Sequence, residues 1–130
     1  MTAYALAHLR PTDGPVPDEV LTYIERIQAT MEPYGGRFLV HGAEGEVVEG
    51  EWPGALVLVA FPGVEEVRAW YASPAYQEIL PLRTRHIDGD VVILPGVGPE
   101  YDASATAAAM RAARERTEQG HPARPSTAAR

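Results

Sequence analysis

Arg83 closes a stretch, W-Y-A-S-P-A-Y-Q-E-I-L-P-L-R over residues 70–83, whose helical spacing puts Tyr76, Ile79, Leu80 and Arg83 on one face. A guanidinium among apolar side chains needs a partner, because an unpaired buried charge is costly. Two kinds of partner suit it. Glu49, expected in the second strand, would form an ion pair fixing helix against sheet. A bound carboxylate or phosphate would instead make Arg83 part of a ligand site. His41, in the same strand, is the best-placed acid or base, since a neutral imidazole moves protons near physiological pH. Its plainer role is a hydrogen bond at a strand end. Trp70, Tyr71 and Tyr76 have the faces to stack on an aromatic ligand, or they are core.

Other chemistry finds less support. Glu44, Glu46, Glu49 and Glu51 sit two or three residues apart, as paired carboxylates can, but on a bent hairpin that spacing also describes a solvated edge. Ser73 precedes a proline and lacks the G-x-S-x-G setting of a nucleophile, so it reads as a helix cap. His8, His41, His86 and His121 show no H-x-H or H-x-x-x-H spacing, so no metal site is expected. Lysine and cysteine are absent, which removes Schiff-base, disulfide and thiolate chemistry. No cofactor is expected. No phosphate-binding glycine loop is present.

The elements that must hold these residues follow from periodicity and punctuation. Residues 4–9 are apolar and end at Arg10-Pro11, a first strand. Pro17 with Asp18 and Glu19 starts a helix, proline at its first position. Val20, Ile24, Ile27, Met31 and Tyr34 form its apolar stripe, and Gly35-Gly36 stops it. Residues 37–42 are a second strand, bent at Gly42–Gly45 and resumed over 46–49. Residues 55–61 are a third strand. Val64, Val67 and Trp70 begin a helix that Ser73-Pro74 breaks and restarts and that Pro81 kinks. Residues 90–94 are a fourth strand.

The order β-α-β-β-α-β predicts an α+β, ferredoxin-like unit: a four-stranded antiparallel sheet with both helices on one face. A-L-V-L-V-A-F and V-V-I-L do not alternate, as strands with one wet face should. The second face therefore needs cover. A homodimer pairing two sheets into an α+β barrel supplies it; the alternative is the tail folding back.

Residues 1–97 carry fourteen acidic and six basic groups, whereas residues 98–130 carry four and five. The tail is thus a separate C-terminal extension, with a helix expected over about 103–119, ended by Gly120, and a flexible end beyond. The net charge of −7 argues against nucleic-acid binding. No run of eighteen apolar residues predicts a membrane span, and no signal peptide is evident; a cytoplasmic location is expected. Missing lysine and asparagine, both with AT-rich codons, fit a GC-rich bacterial genome.

The motifs G-G-R-F-L-V-H-G (35–42), V-V-E-G-E-W (47–52), V-A-F-P (59–62), A-W-Y-A-S-P-A-Y-Q (69–77), P-L-R (81–83) and D-V-V-I-L-P-G (90–96) stand in one order. Together they resemble the domain of unknown function 1330 family, within the dimeric α+β barrel superfamily, over roughly residues 3–97. The resemblance implies a ferredoxin-like subunit and a dimer, and no established reaction. It places the family's recurrent residues on Gly36, Glu49, Gly50, Phe61, Trp70, Ser73, Tyr76 and Arg83. Where the family often carries an arginine, this chain has His41. The wider superfamily includes cofactor-independent monooxygenases, lactone isomerases and small haem-handling enzymes, which use the pocket between sheet and helices.

Three functions follow as expectations. The first is a small-molecule-binding protein using Glu49, Trp70, Tyr76 and Arg83. The second is a cofactor-independent monooxygenase or isomerase acting on an aromatic or polyketide-like molecule, with His41 as base and Arg83 holding the anion. The third is a structural module whose tail binds a partner.

Overall fold

The computed structural model describes residues 1–119. Gly120 as helix stop, the flexible end and His121 lie outside the described residues. The chain divides into two units, Met1–Gly98 and a second starting at Pro99.

In the first unit the order is β1 (Ala3–Pro11), α1 (Asp18–Met31), a 3-10 turn (Glu32–Tyr34), β2 (Arg37–Ala43), β3 (Ala55–Phe61), α2 (Val64–Ala72), α3 (Pro74–Thr84) and β4 (Ile87–Pro95). The strands form one sheet in the order β2-β3-β1-β4, and every neighbouring pair is antiparallel. This is the ferredoxin-like arrangement that the element order predicts.

Register decides the faces. Ala5 lies opposite Val59 and Ile93, and Ala3 opposite Phe61. Ala3, Ala5, Val59 and Phe61 join Tyr23, Ile27, Met31, Val67, Trp70, Tyr76 and Ile79 in one buried cluster, so this face meets the helices. Side chains alternate along a strand. Tyr4, Leu6, Leu58, Val92 and Leu94 therefore point to the other face, where Val92 is 46% exposed and Leu94 41%. The non-alternating strands thus have two apolar faces, only one of them covered by this unit's helices.

The helix ends follow local chemistry, with three departures from expectation. Pro17 is the residue before α1, extended at φ −62°, ψ 148°, and its carbonyl accepts from Val20 and Leu21 N–H. The buried stripe of α1 is Val20, Tyr23, Ile27, Thr30 and Met31, whereas Ile24 is 43% exposed. Tyr23 and Thr30 join the expected stripe, and Thr30 accepts the Trp70 indole N–H at 3.0 Å and gives its own proton to the Ile27 carbonyl at 2.6 Å. Finally, β2 stops at Ala43 and does not resume. Gly42 stands at φ 71°, and the chain stays outside the sheet until Ala55. After Tyr34, Gly35 closes the turn at φ 75° and donates to the Glu32 carbonyl.

Ser73 separates α2 from α3. Its hydroxyl donates to the Trp70 carbonyl at 2.7 Å and accepts from Tyr76 N–H at 3.2 Å, with Pro74 following at the first helical position.

In the second unit α4 spans Ala103–Glu118, capped by Asp102, whose carboxylate accepts from Ser104 N–H at 2.9 Å. None of its residues is buried, and Met110 is exposed.

Candidate functional site

Three alternate positions of β1 facing the helices, Ala3, Ala5 and Ala7, are alanine. Small side chains on a strand leave room between sheet and helix. At Ala5 and Ala7 that room opens into a cavity of about 370 Å³, walled by the sheet, α1, the loop before α1 and the end of α3. This is at the small end of ligand pockets, which run from about 300 to 1,000 Å³. Leu9, Val20, Ile24, Ile27, Val57 and Val91 make its apolar walls.

A few polar groups converge on it. Tyr76 from α3 and Tyr23 from α1 meet hydroxyl to hydroxyl at 2.8 Å, with their rings edge to face. Arg83 lies seven residues, two helical turns, beyond Tyr76 and so shares its face. Its guanidinium carbon stands 5.4 Å from the centre of the Tyr23 ring, a cation–π geometry. Burial pushes the Tyr23 phenol well above its ordinary range, and the neighbouring Tyr76 adds to the effect. It is therefore neutral at any physiological pH. Trp70 packs on Tyr76 with ring centres 4.3 Å apart and also lines the cavity.

His41 lines the cavity from β2, stacked on Phe38 at 4.3 Å, with its residue exposed. His86 lines it from the chain after α3 and bonds to Glu19 at 2.8 Å, while Arg85 takes the other Glu19 oxygen at 2.8 Å. The hydrogen bond from His86 is the main reason that the Glu19 carboxyl sits below its ordinary pKa; desolvation opposes it and Arg85 reinforces it.

Of the residues singled out in the sequence, His41, Trp70, Tyr76 and Arg83 come together around one cavity. Glu49 does not. It is exposed in the segment between β2 and β3, away from the cavity walls, and pairs with no cation among the described residues. The expected Glu49–Arg83 pair is therefore replaced by Arg83 against two phenols. Its premise, a second strand running on to residue 49, fails after Ala43. Ser73 is the expected cap. Tyr23, Ala5 and Ala7 are not among the residues the sequence points to, and His86 enters there only as one of four scattered histidines. The alanine alternation was the readable signal for the cavity, and Tyr23 lay one position off the expected stripe.

A different aromatic contact braces the segment outside the cavity. His8 stacks on Trp52 at 4.5 Å and bonds the Pro53 carbonyl. Among the described residues no group of three or more histidines and acids is placed to hold a metal, and no helix is long and apolar enough to cross a membrane.

The model of a family described as domain of unknown function (DUF1330) matches residues 2–97. No curated protein matches the chain. Several solved structures share the fold. A protein of unknown function from Rhodopseudomonas palustris is 19% identical, with a TM-score of 0.57, over 75% of this chain and 84% of that one. A dimeric ferredoxin-like protein of unknown function from Jannaschia sp. CCS1 is 14% identical, with a TM-score of 0.58, over 74% of this chain and 100% of that one. SnoaB, a cofactor-independent oxygenase from Streptomyces nogalater, is 10% identical, with a TM-score of 0.52, over 78% of this chain and 98% of that one. At these identities the likeness is one of fold.

Proposed function

Since the chain belongs to the DUF1330 family, we propose that it acts as a homodimeric α+β barrel that binds a small, largely apolar molecule between sheet and helices. The observation that carries this reading is the cavity: apolar walls with a few convergent polar groups are the usual form of a small-molecule site. Trp70, Tyr76 and Arg83 are its ligand-contacting residues. The dimer is supported by the uncovered apolar face of the sheet, Tyr4, Leu6, Leu58, Val92 and Leu94, and by the dimeric state of the Jannaschia relative. Burying such a face removes apolar surface from water at about 25 cal/mol per Å².

Native mass spectrometry of the purified protein tests both parts. A dimer carrying extra mass is expected. A monomer would overturn the sheet-to-sheet pairing, and a dimer that gains no mass from any small-molecule library would overturn the ligand reading.

A second reading is an enzyme of the isomerase or monooxygenase type that needs no cofactor. The shared fold with SnoaB and the position of His41 on the cavity wall favour it. His41 would take a proton from the substrate, and Arg83 would hold the resulting anion. On this reading His41→Ala abolishes turnover and keeps the fold, while unchanged turnover removes His41 from the chemistry.

A further inference from the structure

Arg83 is 5% exposed, lines the cavity, and meets no carboxylate among the described residues. The ion pairs of those residues use Arg10, Arg26, Arg85 and Arg114, with His86. Glu19, one of two acids in the first turn of α1, has both oxygens occupied by Arg85 and His86. Arg83 has instead a ring face and two phenols. A cation–π contact offsets only part of the cost of burying a cation.

The two phenols hold one more resource. Tyr23 and Tyr76 carry two hydroxyl protons, and the bond between them uses one. Among the described residues the other proton has no protein acceptor. It can therefore be donated to a ligand atom beside the guanidinium. One buried positive charge and one free O–H are the complement of a single anionic group, and the planar guanidinium fork matches a carboxylate in particular. His41 and His86 also line the cavity, and its remaining walls, Val20, Ile24, Ile27, Val57 and Val91, are apolar and suit an apolar body.

We propose that the cavity selects a monocarboxylic acid with a compact apolar body, its carboxylate held by Arg83 and by the Tyr23–Tyr76 hydroxyl pair. This rests on the reading of the cavity as a ligand site and names the class of ligand.

The test is calorimetric titration of the full chain with benzoate, 4-butylbenzoate, 2-naphthoate and octanoate, each beside its neutral primary amide. Hydrogen bonds to a charged group are strong enough that the best acid should bind about tenfold or more tighter than its amide. Arg83→Gln should remove that preference. Amides binding as well as acids would overturn the carboxylate assignment and leave the ligand site standing. A preference that survives in Arg83→Gln would place the anion elsewhere and overturn it too. No binding by any acid or amide would overturn the ligand site and the inference with it. The acid–amide comparison uses the unaltered protein, so it decides the matter even where Arg83→Gln fails to fold.

Discussion

Glu19 is one carboxylate with two partners, Arg85 and His86, and both belong to the segment after α3. It ties the start of α1 to the end of α3, which are the two elements that carry Tyr23 and Arg83. Its folded pKa is lowered, chiefly by the His86 hydrogen bond. A lowered carboxyl pKa means stability that is present above the unfolded value, near 4.5, and is lost as pH falls through the folded one. Thermal unfolding of the native chain and of Glu19→Gln, followed from pH 6 to pH 3, should show a gap that narrows below about pH 4.5. A gap independent of pH would mean that the charge of Glu19 contributes nothing. Gly36 is a residue-scale constraint of another kind. A Cβ there would stand 2.5 Å from the Phe61 ring and 3.1 Å from Met31 Cβ, both in the buried cluster. Gly36→Ala should therefore cost about 1–3 kcal/mol by overpacking, read from the midpoint of urea unfolding.

At the scale of elements, the break at Ser73 aims the site. Trp70, in the last turn of α2, faces Thr30 and Phe61, and the new helix starts in a new direction with Tyr76 and Arg83 on one side. A single straight helix would not present both sets of side chains in these places. Ser73 is buried, and its hydroxyl makes both bonds of the junction. Ser73→Ala should lower stability by about 1–2 kcal/mol, the upper end of a lost N-cap. It should also weaken binding of any cavity ligand, because the start of α3 positions Tyr76. Loss of stability with unchanged binding would show that helix packing alone sets the direction of α3.

For the whole molecule, the sheet has one face committed to the helices and one apolar face that the first unit leaves uncovered. A charge introduced at its middle tests what covers it. Leu58 is opposite Leu6 in the register, and Leu6 is opposite Val92. Leu58→Glu should convert a dimer to monomer in native mass spectrometry or light scattering, since an unpaired carboxylate in such an interface is costly. A dimer that persists would place the interface elsewhere. The same face would then need another cover.

Much of this architecture was legible in the chain. The order of elements, the apolar stripe of α1 and the Ser73-Pro74 junction all come from local rules of periodicity and capping. The two-faced apolarity of β3 and β4 was legible for the same reason, because a strand's period of two makes any failure to alternate visible. Tertiary structure decided the rest. It added Tyr23 and Thr30 to the buried side of α1, where Thr30 meets Trp70, and left Ile24 on the wall of an open cavity. It ended β2 at Ala43 and so kept Glu49 from Arg83. Strand pairing beyond a glycine of positive φ depends on partners distant in sequence, which no local pattern records. Above all, it brought Arg83 to two tyrosines on different helices. Which groups share a buried space depends on how α1 and α3 cross the sheet, and that is a property of packing in three dimensions.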